Sequence, residues 1–82
     1  MVGDFVILEH TACGEPHFDV MLDVGEALRT WQVPVMPLAM AAGQATVARA
    51  LPDHRRAYLD YEGPISRGRG SVRRVTAGRY EL

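Results

Sequence analysis

Apolar residues in this chain come in short runs, and glycine or proline follows each run before a helix of ordinary length could form. Four runs are predicted to be strands: DFVILEH (4–10), HFDVMLD (17–23), ALRTWQV (27–33) and QATVARAL (44–51). Two shorter strands, SVRRV and GRYEL, are predicted to close the chain around TAG. Short strands separated by turns indicate an all-β fold, a small closed or partly open antiparallel β-barrel.

The predicted strands differ in how their faces are composed. The run 4–10 is apolar throughout and predicts a strand buried on both faces, whereas 17–23 alternates and places His17, Asp19 and Met21 on one face. A proline-containing segment follows the third strand and predicts a crossover with one helical turn at 38–42, the only helix in a mainly β chain. The polar segment 52–70 fits neither periodicity and predicts an ordered, functional loop.

Length and charge constrain the chain further. The 82 residues predict a single domain, 1–82, with one modest core. Residues 1–48 carry six acids and one arginine, and residues 49–82 carry eight arginines and four acids, so the two halves hold about −5 and +4. All nine basic residues are arginine, which suits bidentate contacts with phosphate, although a GC-rich genome would produce the same bias.

The sequence shows no signal for a membrane or for export. No apolar run reaches the ~20 residues that a bilayer span needs, and no basic segment precedes the first apolar run. A single cysteine, Cys13, excludes an internal disulfide and fits a reducing compartment. We therefore expect a cytoplasmic protein without a membrane partner.

Two histidines and an aspartate lie close together in EHTACGEPHFDVML (9–22). His17 and Asp19 are two residues apart on a strand, so their side chains face the same side. A hairpin through 11–16 would bring His10 beside His17 across the ladder. Such a set suits Mn²⁺, Fe²⁺ or Zn²⁺ with coordination positions left open. The spacing also fits histidines that are merely hydrogen-bonded at a strand end. A softer set with Cys13, or a nucleophilic Cys13, is a weaker alternative.

A second polar cluster lies in DHRRAYLDYEG (53–63), which contains His54, Tyr58 and two arginines, Arg55 and Arg56. Buried segments do not tolerate this polarity, so the cluster indicates either a functional loop or a plain solvated one. RGRGSVRR (67–74) adds four arginines between glycines that let backbone approach a ligand closely. The same pattern occurs on ordinary surfaces.

Taken together, these segments resemble a known family. The run FVILEH, the His17–Phe18–Asp19 strand, TWQVP, DHRRAYLDYEG and a glycine-rich strand start are similar, in the same order, to the 3'-phosphoesterase domain of bacterial DNA ligase D and its small stand-alone relatives. The similarity runs from about residue 5 to residue 82. Its most specific parts are the H-x-D strand and the D-H-x₃-Y-x-D-[FY]-E-G loop.

The resemblance implies a metal-dependent β-barrel enzyme that removes 3'-phosphates and 3'-terminal ribonucleotides from DNA ends during repair. It implies DNA 3' ends or primer-templates as substrates, Mn²⁺ as the metal with Zn²⁺ as an alternative, and DNA ligase or other end-joining proteins as partners. By position, His10, His17 and Asp19 match the metal ligands, and His54 and Tyr58 match catalytic residues. Phosphate contacts are expected from four arginines: Arg55, Arg56, Arg67 and Arg69.

The chain also departs from the family pattern. The H-x-D strand usually continues as H-x-D-x-R, with an arginine that contacts phosphate, and Met21 stands in that position here. The turn between His10 and His17 is one residue longer than usual, and longer members have an additional N-terminal segment. A charge-assisted donor is worth about 2 kcal/mol or more. An alternative hypothesis is therefore a non-catalytic nucleic-acid or repair-partner binding module that keeps the fold.

Overall fold

A computed structural model describes residues 1–41 and 43–81, apart from the side chain of Leu38. The described strands are β1 (Val2–Thr11), β2 (His17–Asp23), β3 (Leu28–Val33), β4 (Arg49–His54), β5 (Gly63–Pro64) and β6 (Ser71–Glu81). Two 3-10 turns, Pro37–Ala39 and Arg56–Leu59, are the helical segments within this part of the chain. The prediction of an all-β fold is confirmed.

The six strands form one antiparallel sheet in the order β4-β3-β2-β1-β6-β5, which curls into a half-barrel. β1 and β6 form the longest ladder, from Val2↔Glu81 to Thr11↔Ser71, and one bulge interrupts it between Ile7 and Leu8. Both edge strands contain proline, Pro52 in β4 and Pro64 in β5. Proline is tolerated at an edge because its missing N–H faces away from the ladder.

The core lies on the concave face of this sheet. Its buried side chains are contributed by four strands: Val6, Leu8, Met21, Leu28 and Val72. Tyr58, Leu59 and Ile65 pack against them from the segments that follow β4 and β5. Ile7, on the opposite face, is also buried, so the prediction that the run 4–10 is buried on both faces is confirmed for its middle, 6–8, while Asp4 is exposed.

Three strand and turn boundaries differ from the sequence prediction. The strand predicted at 44–51 lies instead at Arg49–His54, because pairing with β3 resumes at Leu28↔His54 after a register shift beside Pro52, which an edge strand accepts. The segment 52–70 therefore begins inside a strand, and it also contains the second 3-10 turn and β5. The helical turn predicted at 38–42 is a 3-10 turn at Pro37–Ala39, and the part of that prediction at residue 42 lies outside the described residues.

The two short strands predicted at the C-terminus form one continuous strand, β6, and the part of that prediction at residue 82 lies outside the described residues. The composition of TAG indicates a turn, but residues 76–78 pair with β1 like their neighbours. Gly78 lies against the ring of Phe5, where a Cβ would come 3.1 Å from Cε1. Tertiary pairing therefore overrides local turn propensity here.

Candidate metal centre

The β1–β2 hairpin places the two histidines opposite each other. His10 and His17 are a cross-strand pair, and Asp19 follows two residues later on the same face of β2. The connecting turn holds Ala12 and Gly14 at φ 59° and 71°, left-handed values that allow the tight reversal. The hairpin thus gathers three side chains of metal-ligand type at its turn end.

The three side chains are close enough to share one ion. His10 Nδ1 lies 3.2 Å from Asp19 Oδ2, and His17 Nε2 lies 3.4 Å from Asp19 Oδ1. One ligand atom from each residue lies within 4.8 Å of the others, and the two rings meet edge to face at 4.6 Å. Asp19 is 4% exposed, so this carboxylate is withdrawn from solvent.

The second nitrogen of each ring is already used. His10 Nε2 lies 2.7 Å from the Arg69 carbonyl oxygen, and His17 Nδ1 lies 3.1 Å from the Glu15 carbonyl oxygen. A carbonyl only accepts, so we assign the N–H to these two nitrogens. In the neutral rings, the remaining lone pairs then point at the Asp19 carboxylate.

These contacts leave acceptors facing one another. Asp19 Oδ1 is buried and has no hydrogen-bond partner among residues 1–41 and 43–81. Without an extra proton on a ring, two imidazole lone pairs and a carboxylate repel, and a cation between them removes that repulsion. Metal-bound histidines commonly donate their other N–H to a backbone carbonyl, as both rings do here. The three residues therefore form a group that can hold a metal ion.

Gly70 makes the contact between His10 and the Arg69 carbonyl sterically feasible. It has φ 88°, and a Cβ there would overlap the Thr11 carbonyl oxygen and lie 3.1 Å from His10 Nε2. The chain before β6 can therefore lie directly against the hairpin end only with glycine at this position. The glycine-rich segment, predicted to let backbone approach a ligand closely, approaches His10, a candidate metal-binding residue of the chain itself.

His54 and Tyr58 lie next to this group. His54 lines a cleft of about 300 Å³ together with His10, His17 and Asp19. Its Nδ1 lies 2.9 Å from the Pro52 carbonyl oxygen, to which we assign its N–H, so Nε2 remains available to a ligand. Tyr58 stacks edge to face on His54 at 5.6 Å and lines a larger neighbouring cleft of about 770 Å³.

The four predicted phosphate-binding arginines are in different environments. Arg55 and Arg69 line the larger cleft, although Arg69 also donates to the Ser66 carbonyl and hydroxyl at 2.9 and 3.2 Å. Arg67 is exposed at φ 63° and lines neither cleft. The Arg56 guanidinium is bound to Asp23. The structure thus brings two of these arginines to the candidate site.

The Asp23–Arg56 pair is an ordered ion pair at the other end of β2. Arg56 donates from Nε and Nη2 to the two carboxylate oxygens at 3.1 and 2.8 Å, and the Gly25 N–H donates to Oδ1 at 2.8 Å. The hydrogen bond from Arg56 holds the pKa of Asp23 below its usual value, and the Asp23 carboxylate raises the pKa of Arg56. Tyr80 donates its hydroxyl to the Asp23 carbonyl at 2.7 Å.

Two residues weighed in the sequence analysis lie away from ligand contact. Met21 is 1% exposed and packs in the core, so no side-chain donor comes from that position of β2. Cys13 is exposed and lines both clefts, but it is not in the three-residue ligand group. The softer set of His10, Cys13 and His17 is therefore not assembled in this structure.

Several site features were missed by the sequence analysis. The carbonyl groups of Glu15 and Arg69 orient the histidines, and backbone acceptors carry no sequence signal. The Asp23–Arg56 pair joins residues 33 positions apart, which no local pattern indicates. Gln32, which pairs with Asp19 across β2 and β3, could have been found from the strand alternation once that pairing was assumed.

Comparison with known protein families identifies the family of this chain. Residues 8–82 match the family described as the DNA Ligase D 3'-phosphoesterase domain. A search of curated proteins gives no match. Within the described residues, no helix is long and apolar enough to cross a membrane. Because the match spans nearly the whole chain, the chain belongs to the DNA ligase D 3'-phosphoesterase domain family.

Proposed function

We propose that this chain is a metal-dependent 3'-phosphoesterase that acts on DNA or RNA-tipped DNA 3' ends in cytoplasmic DNA repair. One observation carries the proposal: two imidazoles with their second nitrogens committed face a buried carboxylate that has an unpartnered oxygen, beside a cleft lined by His54. With neutral rings, two imidazole lone pairs and a carboxylate face one another and repel, which is the arrangement expected of a metal-binding site.

His10, His17 and Asp19 would hold the ion, and the resemblance to the family favours Mn²⁺ over Zn²⁺. With either metal, two nitrogens and one oxygen leave coordination positions for substrate oxygen atoms. When bound, the metal supplies Lewis-acid polarisation of a phosphoryl oxygen and a more acidic water. The protein's own part is to fix these ligands, which the carbonyls of Glu15 and Arg69 do by holding the rings.

His54 is placed to serve the reacting phosphate. With its Nδ1 proton held by the Pro52 carbonyl, Nε2 can accept a proton from an attacking water or, when protonated, donate to a phosphate oxygen. The edge-to-face contact with Tyr58 and the hydrogen bond to the Pro52 carbonyl both favour this orientation of the ring. Arg55 and Arg69, which line the larger cleft, would bind the phosphates of the strand that carries the 3' end.

The test is release of inorganic phosphate from a 3'-phosphorylated primer-template with Mn²⁺. We expect turnover by the wild type, its loss on chelation, and a fall of about 10²-fold or more in His17→Ala. Arg73→Ala is the matched control, because Arg73 is an exposed residue paired with Glu9 on the other face of the sheet. Equal turnover by His17→Ala and the control would contradict the proposal.

A second candidate function is a non-catalytic module that binds DNA ends or an end-joining partner such as a DNA ligase. The burial of Met21 favours it, since the phosphate-binding arginine usual in the family is missing from β2. This hypothesis predicts DNA binding that weakens with salt and no phosphate release with any divalent ion. Turnover that disappears in His17→Ala would exclude it.

A further inference from the structure

A row of polar side chains runs across three strands beside the candidate metal centre. Asp19 in β2 pairs with Gln32 in β3, and Gln32 pairs with Arg49 in β4. Directly paired residues of antiparallel strands share a face, with Cβ atoms about 5 Å apart. A carboxylate, an amide and a guanidinium are therefore aligned on the concave face, in that order, leading away from the metal group.

Gln32 and Arg49, the two members of this row farther from the metal group, line a second cleft beside His17 that His54 does not line. This cleft has a volume of about 280 Å³ and is lined by Gln32, Arg49 and His17, with Pro34 and Val47 forming apolar walls. Glu15, an exposed residue, also lines it. The cleft is thus open, next to a candidate ligand, and has hydrogen-bond donors on one wall.

Neither Gln32 nor Arg49 has its side chain committed to another group. Within residues 1–41 and 43–81, no side-chain hydrogen bond or ion pair involves either of them, although Gln32 is half-buried. This distinguishes Arg49 from the arginines at 29, 56, 73 and 79, each of which is paired with a carboxylate. A half-buried amide without a partner and an unpaired guanidinium at one cleft are a donor set for an anion.

We propose that Arg49 and Gln32 form a second phosphate-contacting wall, which binds a phosphate group of the nucleic-acid strand on the His17 side of the centre. The inference rests on the proposed function, since that function supplies the phosphate. It assigns to β3 and β4 the donor role that β2 lacks at Met21. The phosphate is either the 3'-terminal one or the adjacent phosphodiester, because both present the same oxygens to a guanidinium.

Two fluorescein-labelled primer-templates, one ending in a 3'-phosphate and the other in a 3'-hydroxyl, distinguish the terminal phosphate from the adjacent phosphodiester. Anisotropy is measured in chelator, so that no turnover occurs, for wild type, Gln32→Ala, Arg49→Ala and Arg49→Lys. Arg73→Ala is again the matched loss of one exposed arginine. We expect Arg49→Ala to weaken binding about tenfold, Gln32→Ala to weaken it less, and Arg49→Lys to restore part of the loss.

The salt dependence gives a readout that a purely structural role would not change. Removal of one phosphate-contacting arginine should lower the slope of log K against log salt by about 1, and Arg73→Ala should leave it unchanged. A loss confined to the 3'-phosphate substrate identifies the terminal phosphate, and an equal loss on both identifies the phosphodiester. Either result supports the wall.

The inference and the proposed function fail in different ways. The wall is overturned if Arg49→Ala matches Arg73→Ala in affinity, salt slope and kcat/KM. It is also overturned if the wild type does not bind the DNA and Arg49→Ala leaves kcat/KM unchanged. In both cases the phosphate-release assay still decides whether the proposed function is right. If Arg49→Ala weakens binding but the wild type releases no phosphate with Mn²⁺, the wall stands and the phosphoesterase proposal fails.

Discussion

Asp19 and Asp23 lie four residues apart on the same face of β2, and both are buried, at 4% and 9% exposure. Their environments are opposite. Asp23 accepts two hydrogen bonds from Arg56 and one from the Gly25 N–H. Asp19 faces two imidazole nitrogens whose rings donate elsewhere, and its Oδ1 has no hydrogen-bond partner among the described residues.

The difference separates a structural carboxylate from one that is prepared for a ligand. A buried carboxylate is stable when donors surround it, and Asp23 meets this condition without any added group. The acceptors around Asp19 are satisfied by added positive charge, either a metal ion or extra ring protons. Burial alone therefore does not distinguish the two roles, but the supply of donors does.

The largest effect is expected from replacing each aspartate by asparagine and measuring phosphate release with Mn²⁺. Asp19→Asn should lower the rate by about 10² to 10³-fold, because a charged candidate ligand of the metal ion is lost. Asp23→Asn removes no candidate ligand and should lower it far less. Equal losses in the two variants would mean that the carboxylates do not differ in role.

In stability the order of the two variants should reverse: Asp19→Asn, which loses the most activity, should lose no stability in the absence of metal. In chelator, Asp19→Asn removes a buried charge and adds an N–H that can donate to a ring lone pair, so its free energy of unfolding should equal or exceed that of the wild type. Added Mn²⁺ should raise the unfolding midpoint of the wild type and not that of Asp19→Asn. Urea unfolding with and without metal measures both.

A smaller effect is expected from disturbing the backbone that orients His10. Gly70→Ala places a Cβ against the Thr11 carbonyl at positive φ, and should cost about 3 kcal/mol of unfolding free energy and weaken stabilisation by Mn²⁺. Gly68→Ala is the control: its φ is 67°, but nothing lies within 4 Å of its Cβ, so it should cost about 1 kcal/mol. Equal costs would show that the close approach to the hairpin is not required.

The candidate metal group could be predicted from the sequence because its geometry is local. Strand alternation places His17 and Asp19 on one face, and a short hairpin fixes His10 opposite His17, so three positions follow from one turn. The roles of the arginines could not be predicted in this way. Arg56 and Arg49 are both arginines near His54 in sequence, and only the long-range pairing of β2, β3 and β4 decides which one meets a carboxylate.

The strand boundaries beyond residue 44 were wrong for a related reason. Pro52 and the TAG segment carry local turn signals, but one lies in an edge strand and the other pairs with β1 along the longest ladder of the sheet. Edge position and ladder length are properties of the whole sheet. The local sequence pattern therefore predicts the boundaries of the β1–β2 hairpin well, but it predicts those of the later strands poorly.

The smallest effect concerns the pH dependence of the Asp23–Arg56 pair. Its hydrogen bond with Arg56 puts the pKa of Asp23 in the folded protein below its ordinary value of 3.8. A lowered folded pKa means that the stabilisation is present above the unfolded value and is lost as the pH falls through the folded one. Asp23→Asn should therefore be less stable than the wild type at neutral pH, and the difference should shrink below pH 3.8. Because Arg56 is half-exposed, salt should reduce the difference at neutral pH. Urea unfolding of both proteins across the acid range measures it, and a difference that stayed constant with pH would show that the carboxylate charge contributes nothing to the pair.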